Sequence, residues 1–291
     1  MKQGLFIGLT TLDWIYRTER YPGANEKVVA IEQTIAAGGP ATNAAVAFAG
    51  LGGKSLVYSA LGQHPITGLI REDLEKHQVI SRDLRPDWSE IPPISSITVT
   101  ETTGERAVIS LNATRARADL RYLPEEPLQN IDIVLVDGHQ IVVGEAIARQ
   151  ARERGIPVAI DGGSWKEGFE KILPFVDYSI VSADFYPPSC SDKEDVFAYL
   201  EDFRIPYIAI TDGERAIEYS ALGERGAIEV NPVRAIDTLG AGDIFHGAFC
   251  YFILQTDFPS ALQKASEVAA LSCQFFGTRR WLEKRPASSI E

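Results

Sequence analysis

Cysteine is scarce in this chain: three among 291 residues, at Cys190, Cys250 and Cys273. The count is odd and no two form a C-x-x-C pair. A disulfide framework and a thiolate zinc site are therefore not expected, and three free thiols suit a reducing, cytoplasmic setting. Cys250 and Cys273 fall in apolar helical runs, where a thiol serves as buried packing. Basic charge is also in deficit, with 28 Lys and Arg against 40 Asp and Glu and a net charge of −12. That balance argues against nucleic-acid or anionic-membrane partners. No segment approaches the roughly 18 apolar residues of a membrane span. The apolar start, Met1 to Leu12, is interrupted by Asp13 and lacks the basic lead and small-residue cleavage site of a signal peptide. The four histidines, His64, His77, His139 and His246, show no metal-ligand spacing. No G-x-G-x-x-G follows the first apolar run, so nicotinamide chemistry is not expected. A phosphate loop at Gly50–Ser55 fails because Phe48 stands where its first glycine belongs, and because the segment ends a helix and opens a strand. Repeats, low-complexity tracts and Pro/Gly/Ser linkers are missing too, and Asn112-Ala113-Thr114 is a chance sequon.

What is present is alternation. Leu5–Leu9 and Ser55–Ala60 read as strands flanking a small-residue helix opened by Gly38-Gly39-Pro40, with Pro40 suited to the first helical position. From residue 131 onward, apolar runs at 131–136, 158–161, 178–181 and 207–211 alternate with amphipathic stretches at 142–154, 167–175 and 193–203. Such a pattern predicts a parallel sheet with helices on both faces. Two short strands near 216–220 and 227–230 and two helices, about 241–255 and 259–276, complete the chain. The stretches 14–37 and 92–112 break the rhythm. The second contains a hairpin about Thr102–Glu105. We expect one α/β domain over residues 1–291, with these two insertions forming a small sheet over the end of the main one, where such folds bind ligands.

The most informative segment is Asp237-Thr238-Leu239-Gly240-Ala241-Gly242-Asp243, just before a helical apolar run. A glycine-rich turn feeding a helix presents unpaired N–H groups and the positive end of the helix dipole, a cradle for phosphate. Asp243 in the first turn adds a carboxylate that can take a proton, with the dipole expected to keep it ionised at neutral pH. A base beside an anion cradle is the chemistry of phosphoryl transfer to a hydroxyl. Gly38, Gly39 and Asn43 place an amide at a helix start, where it can read a hydroxyl. Asp13 is expected at the C-terminal end of a parallel strand, accepting hydrogen bonds from hydroxyls. His246 lies one turn past Asp243. Arg279, Arg280, Lys284 and Arg285 read as a solvated basic end.

Across nearly its whole length the chain resembles the ribokinase-like (PfkB) family of carbohydrate kinases. Asp13, Gly38-Gly39 with Asn43, the hairpin, Thr211-Asp212-Gly213 and the D-T-L-G-A-G-D string follow in family order. Asp161–Trp165 and Ser182–Phe185 look closer to the ketohexokinase-like branch. The resemblance implies a three-layer α/β/α fold with a mostly parallel central sheet and a small β lid. It also implies transfer of the γ-phosphoryl of ATP, with Mg²⁺, to a sugar or nucleoside hydroxyl. Carried over, Asp243 is the base and Gly240, Ala241 and Gly242 help form the anion hole. Asp13, Gly38, Gly39 and Asn43 hold the acceptor beside Asp243, while Ser182, Thr211, Gly213, Gly240 and Gly242 lie by the nucleotide. Asp237 marks a site for a monovalent cation such as K⁺, and lid pairing implies a homodimer. One departure stands out: Ser182 and Phe185 occupy the positions of a family N-x-x-E that helps organise Mg²⁺, with Asp184 as a neighbouring carboxylate. A furanose or ketose is the expected acceptor. A nucleoside kinase and a non-catalytic sugar or nucleotide sensor are the alternatives.

Overall fold

The structure, a computed structural model, describes residues 1–111 and 115–284. The sequon and Arg285 lie outside the described residues. Nine strands form the main sheet: β1 (Gln3–Ile7), β4 (Lys54–Ser59), β5 (Val79–Asp83), β8 (Ile133–Val136), β9 (Val158–Gly162), β10 (Tyr178–Ser182), β11 (Tyr207–Thr211), β12 (Ile217–Ala221) and β13 (Glu224–Ile228). Their order is β13-β12-β11-β10-β9-β8-β1-β4-β5. Seven are parallel, and β12 and β13 add an antiparallel edge. Strands such as Ile133–Val136 are buried at every residue because helices cover both faces.

On one face lie α1 (Pro40–Gly50), α2 (Thr67–Lys76), α6 (Ala241–Phe252) and α7 (Phe258–Ser272), packed around Phe6, Phe48, Phe249 and Leu262. On the other, α3 (Ile141–Glu153), α4 (Phe169–Ile172) and α5 (Lys193–Asp202) close over Leu5, Ile7, Ile160 and Phe185. Helices α1 and α6 touch through backbone: a Cβ on Gly247 would stand 2.1 Å from the Ala44 carbonyl oxygen. The alternation read from the sequence therefore holds, with α2 and β5 as additions. Pro40 sits in the first turn of α1, as expected.

The two insertions pair with each other. Strands β2 (Thr11–Thr18), β3 (Glu32–Gly38), β6 (Ile94–Thr100) and β7 (Arg106–Ser110) form a second sheet in the order β3-β2-β6-β7. Its pairs are antiparallel except β2 with β6. A small apolar cluster of Ile15, Ile97 and Val99 seats this lid on Phe276, Ile236 and Leu239. Arg106 donates from Nη1 to Thr238 Oγ1 at 2.9 Å, so the lid also grips the loop that leads into α6. Every residue of β7 is exposed, including Val108 and Ile109.

Candidate active site

Gly240 precedes α6 with φ +71°, the left-handed backbone that favours glycine, and a Cβ there would crowd Thr278 at 2.9 Å. That turn brings the start of α6 to the cleft, with Gly242 exposed. Gly242 faces open space, with nothing within 4 Å of an added Cβ. The Ala241 N–H reaches back to the Thr238 carbonyl at 3.3 Å, so it is engaged within the turn.

Asp243 is half-buried one residue further on. Asn43 of α1 donates from Nδ2 to its Oδ2 at 2.8 Å. The amide cannot turn over, because Asn43 Oδ1 accepts from Arg279 Nη1 at 2.9 Å. Arg279 in turn donates to Asp73 Oδ2 on α2 from Nε at 3.2 Å and Nη2 at 3.1 Å, and to the Ala37 carbonyl. A four-residue chain, Asp73–Arg279–Asn43–Asp243, thus links three helices. Burial works against the charge of Asp73, but the His77 hydrogen bond and the Arg279 charge outweigh it and hold its carboxyl below the usual range.

The structure corrects the expected ionisation of Asp243. Desolvation, reinforced by the nearby Asp161 charge, outweighs the Asn43 bond and the His246 contribution and pushes its carboxyl up to about 7. The helix dipole does not hold it down in the ordinary carboxylate range.

Asp13 is also placed differently from expectation. It stands on lid strand β2, opposite Ala36, and not at the end of a main-sheet strand. It is buried, and Thr11 Oγ1 donates to its Oδ1 at 2.6 Å. Burial raises its carboxyl, against hydrogen bonds from Thr11 and Ser95 and the charge of Arg279. Gly38 makes room for it, since a Cβ there would lie 1.9 Å from Asp13 Oδ2. Gly39, at φ +97°, lets the Leu9 carbonyl approach to 2.3 Å of a would-be Cβ. Asp137, which sequence reasoning missed, organises this corner. Its Oδ2 accepts from Leu9 N at 2.8 Å and from Ala41 N at 3.2 Å, at the start of α1.

Ser182 and Thr211 end neighbouring strands and pair in register, and the Ala183 N–H bonds the Thr211 carbonyl at 2.8 Å. Ser182 Oγ donates to the Gly163 carbonyl at 2.8 Å and accepts from Asp184 N at 3.1 Å. Gly213 follows in an exposed turn at φ +59°. Phe185 points away, into an aromatic cluster with Trp165 and Phe169 at 5.5 and 5.7 Å, and Asp184 is exposed.

Asp237 is buried and accepts from Gly277 N at 2.8 Å and Leu239 N at 2.9 Å. Burial raises its carboxyl. Of the expected basic end, Arg279 belongs to the buried chain described above, with 13 % of its side chain exposed. Arg280 pairs with Glu32 at the surface. His246 does not line the cleft; it is buried behind Asp243.

Comparison with known proteins follows the same outline. Residues 1–285 match the pfkB family carbohydrate kinase. A ribokinase of Bacillus subtilis (strain 168) is 24% identical over 98% of this chain and 97% of its own. A crystal structure described as a candidate ribokinase from Agrobacterium tumefaciens superposes with a TM-score of 0.84 at 26% identity, over 98% of this chain and 99% of that one. An Arabidopsis thaliana ribokinase complexed with ribose and ATP shares the fold, with a TM-score of 0.73 at 20% identity over 95% and 93% of the two chains. Among the described residues no helix is long and apolar enough to cross a membrane.

Proposed function

The chain belongs to the pfkB family of carbohydrate kinases, phosphotransferases with an alcohol acceptor, and from that premise we propose that it moves the γ-phosphoryl of ATP to a hydroxyl of a furanose or ketose sugar. The single observation that carries this reading is Asp243, held by Asn43 at 2.8 Å beside the glycine-lined start of α6. Asp13, with Gly38 giving it space and Gly39 letting the Leu9 carbonyl pack beside it, holds the acceptor. Asn43 keeps the Asp243 carboxylate aimed at the reacting hydroxyl. The proton leaves that hydroxyl for Asp243 as its oxygen meets the phosphorus. The amides of Gly240 and Gly242, with the Ala241 N–H bracing the turn on the Thr238 carbonyl, hold the charge on the transferred group. In a loose transition state, positioning and charge stabilisation supply most of the rate.

The nucleotide lies along Ser182, Thr211, Gly213 and Gly242, at the carboxyl ends of β10 and β11, the usual side for ligands in such sheets. Among the described residues no three carboxylate, histidine or cysteine side chains gather into a metal nest. This suits Mg²⁺ that arrives on the phosphates and borrows one or two carboxylates. The exposed Asp184 is the residue to lend one, and Phe185 offers none. Bound Mg²⁺ would neutralise charge on the phosphates. Asp237, buried with its carboxyl raised, fits a monovalent cation, whose charge would favour its ionised form. The exposed β7 edge of the lid is a surface for a second copy of the chain.

A nucleoside acceptor is a second reading, favoured by one observation. An apolar cavity of about 390 Å³ is lined by Trp88, Ile91, Pro93 and Leu111, with His64 and Arg115 at its wall. The Pro93 carbonyl takes the Leu12 N–H at 2.9 Å, so this cavity adjoins Asp13.

Coupled ADP release over a panel of sugars and nucleosides, with Mg²⁺ and K⁺ varied, is the test. Turnover on pentoses or ketohexoses is expected, and turnover confined to nucleosides selects the second reading. Asp243→Asn should lose about 10²–10⁴-fold in kcat with ATP affinity retained. Turnover near that of the parent in that variant rules out the base.

A further inference from the structure

Behind Asp243 lies a buried pair that the mechanism above does not use. His246 sits one turn along α6, with 5 % of its side chain exposed, and Asp161 at the end of β9 is equally buried. The imidazole Nδ1 lies 2.7 Å from the Gly242 carbonyl oxygen and 3.4 Å from Asp161 Oδ2. Nε2 lies 3.1 Å from the Ile180 carbonyl oxygen on β10.

A carbonyl oxygen can only accept. Both ring nitrogens face one, so both must donate, and a neutral imidazole has a single N–H. The geometry therefore calls for the doubly protonated ring, with Asp161 as its counter-charge. Asp161 Oδ2 has no hydrogen-bond partner of its own, which leaves it to the ring's charge. Its Oδ1 is occupied by the Gly163 N–H at 3.2 Å. Together these contacts tie three elements at one point: β9 through Asp161, β10 through Ile180, and the first turn of α6 through Gly242.

We propose that His246 is a positioning residue for phosphoryl transfer, a doubly protonated clamp that fixes the Gly240–Asp243 turn against β9 and the middle of β10, with Asp161 holding its charge. The clamp rests on the kinase reading, because it matters only if that turn carries the chemistry. The ring also supplies the positive charge that keeps Asp161 from acting alone on Asp243. The other ionisable groups around the pair are few. Asp243 is above it on α6, Cys250 one turn below, His139 and Lys166 beyond β9, and Asp13 across the cleft. Burial and the Asp161 charge raise the Cys250 thiol, so it stays neutral and competes for neither partner.

Two measurements on the full chain test the proposal. The first uses the parent protein: a long-range ¹H–¹⁵N spectrum of the histidine rings at pH 7, with His246 identified by its absence in His246→Phe. Both nitrogens of His246 should show protonated shifts in the parent, and Asp161→Asn should return one of them to the bare form. A parent ring with one bare nitrogen overturns the clamp, whatever the variants do. The second is kinetic. His246→Phe keeps a planar aromatic ring and removes both donors. It should lower kcat by about 10- to 100-fold, with KM for ATP and acceptor within threefold, and move the acid limb of kcat/KM to higher pH. Loss of the cation leaves the Asp161 charge beside Asp243, which accounts for the direction. Parental kcat with an unmoved acid limb overturns the proposal. Asp243→Asn, assayed alongside, separates the failures. If it retains turnover the base assignment falls, whereas full activity in His246→Phe alone sinks only the clamp.

Discussion

The two halves of the cleft are built differently. On the side we propose for the acceptor, Asp243, Asn43, Arg279 and Asp73 form a continuous chain of bonds between 2.8 and 3.2 Å, and Asp13 sits buried against Gly38. On the side we propose for the nucleotide, Gly213 and Gly242 face open space and Asp184 is exposed. One half is set before any ligand arrives, and the other presents backbone and leaves shape to the ligand. Groups that must meet a reacting oxygen gain from being held in advance, because misplacement by about 1 Å can cost on the order of a hundredfold. A phosphate tail needs donors and access more than a fixed wall.

The sharpest way to break this contrast is at Arg279. Arg279→Met removes the group that orients Asn43 and leaves the half-buried Asp73 without its cation. Urea denaturation should show a loss of about 3 kcal/mol, and kcat should fall by roughly 10- to 100-fold. Arg280→Met, whose partner Glu32 is at the surface, should cost about 1 kcal/mol or less. Equal losses in the two variants would mean the buried chain is no more organised than the surface.

Next in size is a pair of glycines. Gly39→Ala forces a side chain against the Leu9 carbonyl at φ +97° and should cost about 1–3 kcal/mol while raising KM for the acceptor. Gly213→Ala, at φ +59° with nothing within 4 Å, should cost about 1 kcal/mol and leave the acceptor KM alone. Thermal melts and the two KM values decide it. If Gly213→Ala proves the more damaging, the nucleotide side is the rigid one.

The gentlest probe is pH. As the proposed base, Asp243 can accept a proton only when ionised, and its carboxyl is pushed up to about 7. The value of kcat/KM should therefore climb through pH 7 and fall about tenfold per unit on the acid side. Stability runs the other way. A carboxyl raised from 3.8 to about 7 on folding contributes fully below the lower value, and that contribution is lost as pH climbs through the upper one. Asp243→Asn should consequently gain in Tm relative to its parent between pH 5 and pH 8. A parent whose kcat/KM is flat from pH 5 to 8 would show that desolvation of this site is not felt.

Much of the fold was legible because parallel strands buried on both faces read as unbroken apolar runs, as at Ile133–Val136. Helix α2 escaped notice because T-G-L-I-R-E-D-L-E-K offers few apolar positions, and β5 because only alternate residues are buried. In the candidate site, Gly240, Gly242 and Asp243 announced themselves by local spacing. Asp73 and Arg279 did not. They are 206 residues apart, and each looks like an ordinary surface charge within its own neighbourhood. Asp137 and Asp161 were hidden for a related reason: what Asp137 does depends on the distant amides of Leu9 and Ala41, and what Asp161 does depends on His246, brought beside it by α6. The ionisation of Asp243 was misjudged because the dipole is a local property and desolvation is not.

Gly247, where α6 lies on the Ala44 carbonyl, has a further consequence. With no methyl group between them, the two rods behave as one beam, and Asn43 and Asp243 ride on it together. Bending of the flap overhead leaves their separation untouched. Selection can therefore redraw the flap to suit a different alcohol while the proposed base, Asp243, and the amide that aims it keep their spacing.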